Sequence, residues 1–114
     1  MIEPMRRRYT PRHIPHHLVH RGNDRCRVFF TDEQRISYLS CLSHASLRYQ
    51  CRIHAYVLMD NHVHLLATAA VDSGLSRMMQ WVAARYTTSF NESKGRTGTL
   101  WEGRFYSSSI TSER

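Results

Sequence analysis

The chain has 114 residues, in which 16 Lys and Arg against 9 Asp and Glu leave a formal charge of +7 with all eight histidines neutral. That length is one domain, and 41% hydrophobic with 11% aromatic residues suffice for a core without metal or disulfide staples, which excludes disorder for most of the chain. The longest apolar-rich stretches, residues 55–59 and 63–71, fall far short of the roughly 20 residues that cross a bilayer, and Met1-Ile2-Glu3-Pro4 opens no apolar secretory segment, so a cytoplasmic protein with no membrane partner is expected.

Residues 1–15 hold Arg6-Arg7-Arg8, Arg12 and all three prolines, and read as a basic arm ahead of a single domain over 16–114. His16 to Arg21 reads as a first strand, closed by the turn formers Gly22-Asn23-Asp24. Thr31-Asp32-Glu33-Gln34 fits a capping box that starts a helix, along which Tyr38, Leu42, Ala45 and Tyr49 recur on one face. Arg52 to Met59 is rich in β-branched and aromatic residues and is expected as a largely buried strand. Asp60-Asn61 then supplies a two-residue turn, expected of the primed type because both residues tolerate positive φ, and the chain returns as His62 to Thr68.

Asp72-Ser73 is expected to cap a second helix, where Leu75, Met79, Val82, Tyr86 and Phe90 follow helical spacing before Gly95. After a polar turn, Leu100 to Tyr106 leads into a last strand, Ser107 to Ile110. Strand, helix, strand, strand, helix, strand describes an α+β domain with helices on an antiparallel sheet, similar to a ferredoxin-like arrangement.

Cys26, Cys41 and Cys51 are odd in number and form no CxxC pair, so reduced thiols are expected. The basic charge is nearly all arginine, with Lys94 the only lysine. Guanidinium is the better bidentate phosphate ligand, which makes a nucleic-acid partner plausible against the alternative of a basic but inert surface. His62 and His64 carry the chemistry. Residues i and i+2 of a strand share a face at a Cα spacing of roughly 6.5 Å, close enough for two imidazoles to converge on one metal ion. Two hydrogen-bonded histidines on a half-exposed strand have the same spacing. His13, His16, His17 and His20 form a second cluster, but a strand sends His16 and His20 to one face and His17 to the other. They therefore make an awkward single site and are expected as pH-dependent positive charge near a nucleic-acid surface, if one is bound.

The segment Val57 to Leu66, with His62-Val63-His64 at its centre, resembles the His-hydrophobic-His signature of the HUH single-tyrosine transposases, in the branch that includes the REP-associated tyrosine transposases. His20-Arg21-Gly22-Asn23, Phe90-Asn91 and Gly98 to Phe105 are further matches in the same order, and together they span about residues 16 to 113. Asp60 stands where family members usually carry proline.

The resemblance implies a DNA-cutting transposase: a tyrosine hydroxyl attacks the scissile phosphate of single-stranded or hairpin DNA, aided by Mg²⁺ or Mn²⁺ on His62 and His64. It also implies a homodimer. The family's tyrosine lies on a helix after the last strand, and this chain is expected to stop short of it; Tyr86 is the substitute by helix location, although its place on the apolar stripe favours the core. Arg7, Arg8, Arg21, Asn23, Arg96, Trp101 and Arg104 are the candidate DNA contacts, with Trp101 as a base-stacking ring or a plug at the core edge. Two alternatives remain: a catalytically inactive DNA-binding remnant of the same fold, and an RNA-binding ferredoxin-like module, which the lack of paired exposed aromatics disfavours.

Overall fold

The computed structural model describes residues 10–110. Six main elements follow in order: β1 (His16–Arg21), α1 (Asp32–Arg48), β2 (Cys51–Met59), β3 (His62–Ala69), α2 (Gly74–Lys94) and β4 (Tyr106–Ser109). The four strands form one sheet in the order β2-β3-β1-β4, every neighbouring pair antiparallel. This is the expected α+β, ferredoxin-like arrangement, and β4 begins and ends one residue earlier than Ser107 to Ile110.

Strict alternation along β1 and β3 makes one sheet face apolar. Leu18, Val63, Leu65, Ala67 and Ala69 are buried on it, and the stripes of the two helices cover them through Tyr38, Leu42 and Ala45 of α1 and Leu75, Met79, Val82 and Tyr86 of α2. Among the described residues no helix covers the opposite face. The cap of α1 is the expected box: Gln34 N donates to Thr31 Oγ1 at 3.1 Å and Thr31 N to Gln34 Oε1 at 3.3 Å.

Three expectations change. β2 is an edge strand, so its apolar composition does not end in burial: Tyr56, Val57 and Met59 are each about half exposed. Ser73 caps α2 in a left-handed conformation without a side-chain hydrogen bond, and Asp72 Oδ1 instead accepts from Arg12 N at 2.9 Å.

The Asp60-Asn61 turn has two residues, as expected, but neither takes a positive φ, so it is not of the primed type. Tertiary bonds hold it. Asp60 O accepts from Val28 N at 2.8 Å, Asn61 O from Gly22 N at 2.8 Å, and the Asp60 carboxylate from Arg35 at 2.9 Å, with Arg27 at 3.6 Å. Those ion pairs give Asp60 a role that proline cannot take.

Candidate metal and nucleic-acid site

The antiparallel registers place the charged and polar side chains. Residues directly opposite across a ladder share a face. Val57 of β2, Val19 of β1 and Tyr106 of β4 therefore lie in one row with His64, and Met59 and Arg21 in the next with His62. All stand on the sheet face away from the helices, because Val63 and Leu65 between and beyond the histidines are buried on the other. The hairpin thus presents His62 and His64 at the turn end of the open face, and β1 adds Arg21 beside them.

The two rings meet edge to face, with centroids 4.9 Å apart and planes at 73°. Each Nδ1 is engaged away from the partner ring: His62 Nδ1 lies 2.8 Å from Asn61 Oδ1, and His64 Nδ1 lies 2.9 Å from His17 Nε2. An amide oxygen only accepts, so in its neutral form the His62 ring has its proton on Nδ1 and its lone pair on Nε2. Burial first, then the charges of His62, His17 and Arg21, hold His64 below its ordinary value, which favours the neutral imidazole that a metal ligand must be. The donor set fits a divalent ion with open positions, supplied by two imidazoles. No group of three or more His, Cys, Asp or Glu side chains arranged to hold an ion occurs among the described residues.

Residues 12–114 match the family model described as IS200-like transposase. The chain belongs to that family. The fold of this IS200-like transposase is similar to that of a REP-associated tyrosine transposase bound to a REP hairpin, at a TM-score of 0.68 and 21% identity. That match covers 99% of this chain but 64% of the other, so the chain spans less than two thirds of that relative's length. A Deinococcus radiodurans protein described as a candidate transposase is similar at a TM-score of 0.69 and 18% identity, over 85% of this chain and 78% of that one. No curated protein matches.

The remaining candidate residues of the transposase separate. Arg7 and Arg8, with most of the basic arm, lie outside the described residues. Asn23 and Arg104 are exposed near the ends of β1 and before β4. Arg96 is engaged internally: it donates to Asn91 Oδ1 at 2.7 Å and to Thr99 O at 3.1 Å, closing the C-terminal turn of α2.

Trp101 is 5% exposed, with His20 against it at a centroid distance of 4.6 Å and Tyr38 and Tyr86 at 6.0 and 6.2 Å. Its ring belongs to the core and offers no open face to a base, which corrects the stacking role in favour of the core plug. Tyr86 is likewise buried. Its hydroxyl donates to Val28 O at 2.6 Å, burial pushes its pKa up, and its place in the α2 stripe of the core puts it on the sheet face opposite the histidine pair.

The second histidine cluster divides as alternation requires. His16 and His20 are buried, which removes them from any DNA-facing charge, while His17 joins His64. Alternation in the sequence could place His17 opposite its neighbours; only the β1–β3 register says that it meets His64.

Burial lowers the pKa of His20 below its ordinary value of 6.5, against a hydrogen bond to Gly103 O that raises it. The unfolded chain then binds a proton that the folded chain refuses. Stability is full above pH 6.5 and falls as the pH drops below it. Urea unfolding at about pH 7.5 and 5.5 is expected to show that loss, and His20→Gln, which cannot titrate, to show less of it.

Proposed function

We propose that this chain acts on single-stranded or hairpin DNA through the open sheet face, with His62 and His64 holding Mg²⁺ or Mn²⁺ for strand cleavage and rejoining. The observation that supports it is the convergence on that face of two imidazoles with engaged Nδ1 atoms beside Arg21. The hairpin bound by the structurally similar REP-associated transposase supports the class of nucleic acid. When bound, a divalent ion supplies Lewis-acid polarisation of a phosphate oxygen. Arg21, in the row of His62, is placed to receive a neighbouring phosphate. Asn23, Arg104 and the basic arm with Arg7 and Arg8 would extend the contact by neutralising backbone charge. A cytoplasmic homodimer belongs to the same reading. The exposed edge strand β2, with Tyr56 and Val57 open, offers unpaired backbone groups that a second copy can cover.

The chemistry needs a tyrosine, and in this reading it comes from outside residues 10–110. Tyr38 and Tyr86 lie in the core, Tyr56 pairs with Leu65 on the helix side of the sheet, Tyr49 ends α1 beside the Ala69 end of β3, and Tyr106 shares the face of His64 but stands two strand spacings away, about 10 Å. The same observation favours a second reading, DNA binding without cleavage. Hairpin DNA incubated with the chain and Mn²⁺, followed by denaturing electrophoresis and, separately, by anisotropy, tests both. Binding that weakens in Arg21→Ala, with a salt slope smaller by about one, supports the DNA-binding face. A covalent adduct abolished in His62→Ala would place the nucleophile within residues 1–114. Binding with no adduct would show that residues 1–114 supply no nucleophile and leave DNA binding as what this chain itself does, and no binding would remove both readings.

A further inference from the structure

We propose that His17 is a positioning residue for the metal site: its Nε2 accepts the Nδ1 proton of His64 and so turns the His64 Nε2 lone pair outward to the ion. The inference rests on the reading of His62 and His64 as metal ligands and assigns a role that the pair alone does not require.

The geometry of the contact carries it. His17 Nε2 and His64 Nδ1 are 2.9 Å apart, their ring planes differ by 10° and their centroids lie 5.1 Å apart. A centroid separation so much longer than the nitrogen contact means the rings meet edge to edge in nearly one plane. In that arrangement the in-plane lone pair of one nitrogen faces the N–H of the other, which is a hydrogen bond rather than a face-to-face contact. One of the two nitrogens must then carry the proton. If His64 is to ligate through Nε2, its proton sits on Nδ1 and His17 Nε2 accepts.

The other half of the site repeats the pattern. His62 Nδ1 is 2.8 Å from Asn61 Oδ1, an atom that can only accept. Both candidate ligands therefore hold their Nδ1 protons against a neighbouring acceptor, one from the hairpin turn and one from β1. Outer partners of this kind fix tautomer and ring orientation in metal-bound histidines, and their loss typically weakens metal binding 10- to 100-fold. His17 is not a third ligand in this arrangement, because the nitrogen that would face the ion is already engaged with His64. Its position follows from the ladder: His17 pairs with Leu66 and Val19 with His64, so His17 reaches His64 along the diagonal of the same face.

Two variants and two readouts test it. His17→Leu removes the acceptor, whereas His17→Gln puts an amide oxygen near the site of Nε2. Mn²⁺ uptake is followed by the loss of the free-ion electron paramagnetic resonance signal, and the His64 tautomer by long-range ¹H–¹⁵N correlation in the metal-free chain. The expected result is Mn²⁺ binding about 10-fold weaker in His17→Leu, largely recovered in His17→Gln, with His64 protonated on Nδ1 in the wild type and in His17→Gln. Unchanged Mn²⁺ binding in His17→Leu, equal loss in both variants, or a wild-type His64 protonated on Nε2 would each overturn the proposal while leaving the two-histidine site standing. A wild type that takes up no Mn²⁺ would overturn the metal reading and this proposal with it.

Discussion

Replacing His62 with alanine is expected to weaken Mn²⁺ binding by about 100-fold or more, beyond the loss expected for any outer partner of the site. The reason is the small donor set. Two imidazoles share the open face, no larger group of ligating side chains arranged to hold an ion occurs among the described residues, and one remaining ring cannot chelate. The substitution should cost little stability, because His62 is half-buried on the face that the helices leave open and contributes nothing to the core cluster. Isothermal titration with Mn²⁺ and a thermal melt on the same sample separate the two effects. A variant that binds the ion as the wild type does, with an unchanged melt, would show that this pair does not hold the ion.

Tyr86 gives the second large effect, and it is one of stability rather than chemistry. Its ring lies within 5.4 to 6.2 Å of Phe29, Tyr38, Phe90 and Trp101, where the two helices and the segments after β1 and before β4 meet. Tyr86→Ala removes the centre of that cluster and is expected to cost about 4 kcal/mol, a large share of a domain's total of roughly 5–15. Tyr86→Phe keeps the ring but strips Val28 O of its donor at 2.6 Å, costing about 1–3 kcal/mol. Guanidinium unfolding of both variants reads these losses. Mn²⁺ uptake by Tyr86→Phe under native conditions should match the wild type, since the sheet separates the hydroxyl from the histidines. A loss of uptake with an intact fold would contradict that separation.

Much of the fold was legible because its signals are local. The capping box at Thr31, the helical stripe from Leu75 to Phe90 and the strand alternation around His62 and His64 each depend on residues within a few positions. The burial of β2 was not legible. Its composition suits either a central or an edge strand, and only the order β2-β3-β1-β4 puts Val57 and Tyr56 at the rim. The Asp60-Asn61 turn shows the same limit. Both residues suit positive φ, yet hydrogen bonds from Gly22 and Val28 and the Arg35 ion pair hold a different conformation, because tertiary partners outweigh the small intrinsic preference of two turn residues. Trp101 could face a base or the core as a sequence, and the aromatic cluster around it settled the choice.

The amino-acid sequence by itself determined the six elements, their α+β order, the pairing of His62 with His64 on one strand face and membership of the IS200-like transposases, all of which rest on short-range spacing and on motif order. The tertiary structure alone decided which of the first four histidines reaches the site, since antiparallel register is set by distant packing and brings His17, 47 positions away, against His64. It also decided which face stays open, because both helices bury the apolar side of β1 and β3, and the charged and imidazole side is what remains.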